Sequence, residues 1–108
     1  MPSITLYTSE RHRLDAESYT KFSTALVAIV KEILKAKENN IHISYLISEI
    51  GFGTPIYFEV QLRQELFRTT SLMEKFMHEV DLLIKEWTGI PARIRCFSFD
   101  ASNIYGKN

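Results

Sequence analysis

The sequence predicts an α+β domain of two layers, a four-stranded mixed sheet with two helices on one face, from the order in which its hydrophobic periods change. Segments of period two and segments of period three to four follow one another as strand, helix, strand, and then again as strand, helix, strand. A connection of helical length between neighbouring strands implies a parallel, right-handed crossover in each half. The chain therefore reads as a tandem β-α-β repeat of architecture, with little identity of residues between the halves. Its 108 residues, 45% of them hydrophobic, suit a single domain, 1–108, in halves of about 1–50 and 51–108. Roughly two thirds of the unfolded surface is buried at this length, enough for one core.

Each element has its own signal. Ser3-Ile4-Thr5-Leu6-Tyr7-Thr8 alternates and makes the first strand. Asp15 is placed to cap a helix over Ala16 to Lys37, where Tyr19, Phe22, Leu26, Ile29, Ile33 and Ala36 recur at spacings of three and four. Lys21, Thr24, Lys31 and Lys35 fall off that stripe and form its solvated side. Asn39-Asn40 breaks the period, and Ile41 to Ile47 switches to alternation in strong strand formers. Gly51 to Pro55 makes a turn before strand three, Ile56 to Leu62. The second helix opens with Ser71-Leu72-Met73-Glu74, which has the form of a capping box. Its stripe is Met73, Phe76, Met77, Val80, Leu83, Ile84 and Trp87, and Gly89 followed by Pro91 stops it. Ala92 to Phe99 is the fourth strand. Strands two and three carry apolar residues on both parities, so the sheet face away from the helices is expected to be too apolar for water and to be covered by self-association.

Composition narrows the function. Thirteen basic and thirteen acidic residues give a net charge of zero with no basic stripe, which argues against a nucleic-acid partner. No window of 18 apolar residues exists, and the first fifteen residues hold Glu10, Arg11, Arg13 and Asp15 with no apolar run, so neither a membrane span nor a secretory signal is expected and the protein reads as cytoplasmic. His12, His42 and His78 are scattered without ligand spacing, so no metal is expected, and His42 reads as a core or interface residue. Gly51-Phe52-Gly53 is too short for a phosphate loop, and nothing else calls for a cofactor. The lone Cys96 sits in a strand pattern and reads as a small buried thiol.

The chemistry-bearing feature is the start, Met1-Pro2. Loss of the methionine leaves a secondary amine at the head of a strand, and apolar surroundings depress the pKa of such an amine so that it accepts protons near neutral pH. Pro2, the two β-α-β units, the stretch from Pro55 to Leu62 and the closing segment from Pro91 to Gly106 together resemble the tautomerase superfamily, with the nearest likeness to macrophage migration inhibitory factor and D-dopachrome tautomerase. The resemblance implies a homotrimer in which the uncovered sheet faces line a barrel-like interior. It also implies that Pro2 shuttles a proton between carbon and oxygen of a small 2-oxo acid or its enol.

Such a mechanism needs a cation for the carboxylate or enolate and an apolar wall around the amine. By the resemblance, Lys35 or Lys37 lies near the substrate-binding lysine of the migration-inhibitory-factor-like proteins, with Lys37 the candidate taken forward. Arg63, just past strand three, falls among the site-lining residues. Arg95 and Phe97 occupy positions where macrophage migration inhibitory factor carries a tyrosine and an asparagine that reach a neighbouring subunit's site. A guanidinium and a phenyl ring there depart from the family pattern and put its substrate preference in question. Arg11 and Arg13 invite comparison with the 4-oxalocrotonate tautomerases but read better as a solvated turn. The alternative reading is a non-catalytic trimer of the same fold, a binding or structural protein. A second rival is a dimeric, ferredoxin-like ligand-binding module.

Overall fold

The computed structural model describes residues 1–108. Strand β1 (Ser3–Thr8), helix α1 (Ala16–Ile33), strands β2 (His42–Ile47) and β3 (Ile56–Arg63), helix α2 (Thr70–Thr88) and strand β4 (Arg93–Phe99) follow in that order, with short 3-10 turns at Glu10–His12, Glu38–Asn40 and Ala101–Asn103. The sheet order is β2-β1-β3-β4. β1 pairs with β2 and β3 with β4 in parallel, and the two halves join antiparallel through β1 and β3. This is the mixed four-stranded, two-helix α+β architecture that the alternation of periods predicts.

One face of the sheet carries the core. Ile4 and Leu6 of β1 and Ile56, Phe58, Val60 and Leu62 of β3 are buried, and they meet Phe22, Leu26 and Val30 of α1 and Phe76, Val80 and Ile84 of α2. Both helix stripes are thus turned to the same layer, as their spacing requires. Edge strand β2 is tied to α1 by Tyr45, whose ring stacks on Tyr19 at 4.3 Å and whose hydroxyl meets Ser23 Oγ at 2.6 Å. The opposite face leaves Leu46 of β2 and Phe97 and Phe99 of β4 exposed, while β3 makes its centre more polar. All four large aliphatic and phenyl side chains of β3 share one parity, leaving Tyr57, Glu59, Gln61 and Arg63 on the other, so that face presents a mixture of aromatic rings and charge.

Two helix ends differ from expectation. α1 stops at Ile33 instead of running to Lys37, because Leu34 turns into the core and Lys35 takes a left-handed backbone with φ +56° that no helix can continue through. The cap of α2 lies two residues before the expected one: the hydroxyl of Thr69 accepts from the Leu72 amide at 3.2 Å, placing Thr70 and Ser71 inside the first turn. Asp15 caps α1 as expected, accepting from the Ser18 amide at 2.8 Å. Gly89 ends α2 in the left-handed region at φ +80°. β3 runs one residue further than expected and includes Arg63.

Thr8 is the one buried polar residue of the core layer, and its hydroxyl has no partner. An unpaired buried hydroxyl costs more than a methyl of the same shape. Thr8→Val is therefore expected to raise stability by about 1 kcal/mol, measured as a shift of the urea midpoint with an unchanged slope.

Candidate active site

Pro2 precedes β1 by one residue and is buried, in contrast to Met1, which is 41% exposed. The Pro2 carbonyl accepts from the His42 amide at 3.1 Å, so the parallel β1–β2 ladder begins at the proline itself and fixes its position. A proline suits the place because it has no N–H to leave unpaired and its φ is already set by the ring.

Two clefts flank this N-terminal corner. One, of about 630 Å³, is bounded by Pro2, Asn39, Asn40, His42 and the C-terminal Gly106 to Asn108. The other, of about 340 Å³, lies between the end of α1 and the end of β3, beside Met1. Lys35, Lys37, Arg63 and Arg68 line it, with Phe67 as an apolar flank and Glu65 as its one acid. Four cations converge because two chain reversals meet there. The left-handed turn at Lys35 swings Lys35 and Lys37 back toward the sheet, and the β3 terminus brings Arg63 alongside the first residues of β1. The gathered positive charge suits an anionic group.

The structure thus brings Lys37 and Arg63 together in a cleft beside Met1, while Pro2 lines the adjoining one, and it keeps Arg95 and Phe97 apart from them within one chain. Arg95 is opposite Glu59, and Phe97 opposite Gln61, on the uncovered face of the edge strand. Two strand spacings, roughly 10 Å, separate Phe97 from Ser3. Arg95 Nη1 donates to its neighbour's carbonyl, Ile94 O, at 2.7 Å, and Phe97 is 43% exposed. Arg11 and Arg13 lie beyond the far end of β1, roughly 17 Å along the strand from its start. Arg13 pairs there with Glu10 at 3.5 Å, in keeping with a solvated turn.

Sequence reasoning missed Arg68. Its Nε and Nη2 donate to the carbonyl of Leu34 at 3.2 and 2.9 Å, and its Nη1 donates to the carbonyl of Arg63 at 2.7 Å. Its acceptors are main-chain oxygens, which carry no residue identity, so no local pattern marks it. Of the two readings of His42, core or interface, the core one is overturned: it is an exposed residue of the edge strand, with Nε2 3.2 Å from Ser44 Oγ. No three His, Cys, Asp or Glu side chains gather where they could share an ion, and no helix is long and apolar enough to cross a membrane.

Cys96 is half-buried on the helix side of β4, opposite Val60. Burial pushes its thiol up to about 11. Below pH 9 both folded and unfolded thiols are neutral and the shift costs nothing. Above it the unfolded chain ionises first, so this group withdraws stability as pH rises from about 9 toward 11. Near neutral pH the folded thiol is therefore protonated and a poor nucleophile. Alkylation by iodoacetamide is expected to be far slower in the folded protein than in urea, followed by intact mass.

No protein-family model matches the chain, and no curated protein matches it. Solved structures do. A member of the cis-3-chloroacrylic acid dehalogenase family superposes with a TM-score of 0.78 at 11% identity, over 96% of this chain and 79% of that one. The macrophage migration inhibitory factor-like protein of Entamoeba histolytica gives 0.75 at 13% identity, over 99% and 95%. A protein whose structure was solved after inactivation by 2-oxo-3-pentynoate gives 0.73 at 17%, over 94% and 89%. Across almost its whole length, the chain shares the fold of the macrophage migration inhibitory factor-like proteins.

Proposed function

We propose that this chain is a proline-based keto-enol tautomerase or isomerase acting on a small 2-oxo acid, with Pro2 as general base once Met1 is removed. The observation that carries the reading is the juxtaposition of a buried Pro2 with a neighbouring cleft ringed by cations. Burial and nearby positive charge both disfavour protonation of an amine, so the free secondary amine stays neutral and able to accept. It takes the hydroxyl proton of the enol and, as the ammonium, delivers it to carbon. Atoms and charge are unchanged overall. Lys37 and Arg63 hold the carboxylate, Arg63 through a planar fork that suits two charge-assisted hydrogen bonds.

A homotrimer completes the proposal, because Arg95 and Phe97 face away from Pro2 in their own chain and serve a site only across an interface. A neighbour inactivated by 2-oxo-3-pentynoate supports the substrate class by likeness of fold. The test is the intact mass of the native protein followed by an enol-to-keto assay with phenylpyruvate. A mass lacking methionine, with turnover that is lost in Pro2→Ala, is the expected result. A methionine-free trimer inert toward 2-oxo acids would overturn it in favour of a binding role.

A further inference from the structure

Arg68 makes three hydrogen bonds to main-chain carbonyls and takes part in no ion pair. Three of the five N–H groups of its guanidinium are committed, and the ring of Phe67 lies 5.3 Å from its central carbon. Partial burial holds the group below its ordinary pKa, yet the guanidinium stays charged and spends its donors on main-chain oxygens. The identity of its two acceptors is the informative part. Leu34 is the C-cap of α1, immediately before the left-handed Lys35 and three residues before Lys37. Arg63 is the last residue of β3. One rigid planar group therefore bridges, by hydrogen bonds, the two backbone segments that carry Lys35, Lys37 and Arg63 of the cleft.

We propose that Arg68 is a positioning residue that sets the separation between the Lys35–Lys37 turn and Arg63, so that Lys37 and Arg63 engage one anionic group beside Pro2. The nature of that anion rests on the function proposed above; the positioning does not. A lysine cannot reproduce it, because an ammonium lacks the fork that spans the Leu34 carbonyl and still reaches Arg63.

The experiment compares wild type, Arg68→Lys and Arg68→Ala as full chains. Amide order parameters at Lys35, Ala36 and Lys37 are expected to fall from about 0.85 to below about 0.6 in both variants, with those of β1 unchanged. With phenylpyruvate, KM is expected to rise on the order of tenfold while kcat stays within about threefold, since Pro2 is untouched. Equal loss of kcat and KM tracking a lower Tm would mean a merely structural clamp and overturns the proposal, as does an unchanged KM. If wild type is inert toward phenylpyruvate, the tautomerase reading falls. The order parameters still decide Arg68: a drop confined to Lys35–Lys37 in Arg68→Lys, which keeps charge and stem, sustains the positioning role, and no drop overturns it.

Discussion

Pro2→Ala is expected to lower turnover of a 2-oxo acid by about 10²–10⁴-fold, the usual contribution of a positioned general base. The alanine amine remains primary and free to rotate into water, where it is mostly protonated at neutral pH, whereas the proline ring holds its nitrogen in the buried corner at the head of β1. A sharper variant inserts one serine between Met1 and Pro2. The proline nitrogen then remains in an amide bond and has no basicity, so activity is expected to fall to background. Neither change touches the fold. Met1 is already solvent-exposed, and the ladder bond from His42 to the Pro2 carbonyl survives in both variants, so far-UV and thermal melts should match wild type. Retained turnover in the serine insertion would show that the proline nitrogen is not the base.

The fold was legible because its two helices and its inner strands carry clean periods. Phe22, Leu26 and Ile33 mark α1 at spacings that the structure turns inward, and Ile56, Phe58, Val60 and Leu62 mark β3 at a spacing of two. Helix ends were less legible for a physical reason. The stripe runs on through Ala36 with no glycine to stop it, and the left-handed turn falls on a lysine that shows no local preference for it. At the start of α2, Thr69, Thr70 and Ser71 offer similar hydroxyls, so sequence leaves the cap undecided and the approach of the chain from β3 selects Thr69.

The candidate site divides in the same way. Pro2 is readable from its position and Arg63 from its place at the end of a strand. Arg68 is not, because it bonds a carbonyl 34 residues away whose side chain is an unremarkable leucine. Only the share of β3 in the uncovered face was overstated, because Tyr57 sits among β3's apolar residues and counts as one of them in a hydropathy pattern. In the fold its ring stacks on Tyr7 at 5.6 Å and its hydroxyl donates to Glu59 at 2.9 Å, outside the core.

Phe58→Ala is expected to cost about 3–5 kcal/mol, a large part of the roughly 5–15 kcal/mol by which a domain of this kind is stable. Phe58 is fully buried in the inner strand β3, opposite Leu6 of β1 and Ile94 of β4, beneath both helices. Its removal leaves a hole bordered by four elements, none of which can close it without leaving the others. The melting temperature should fall by about 15–25 °C, the same at every protein concentration. Phe97→Ala provides the contrast. In one chain that ring is almost half exposed, and its loss should cost within about 0.5 kcal/mol. In the proposed trimer the ring is covered by a neighbour, so its removal weakens assembly, and the variant's melting temperature should drop on dilution more steeply than that of wild type. A Phe97→Ala protein whose melting is independent of concentration, like wild type, would leave the uncovered face in water and remove the route by which Arg95 and Phe97 reach any Pro2.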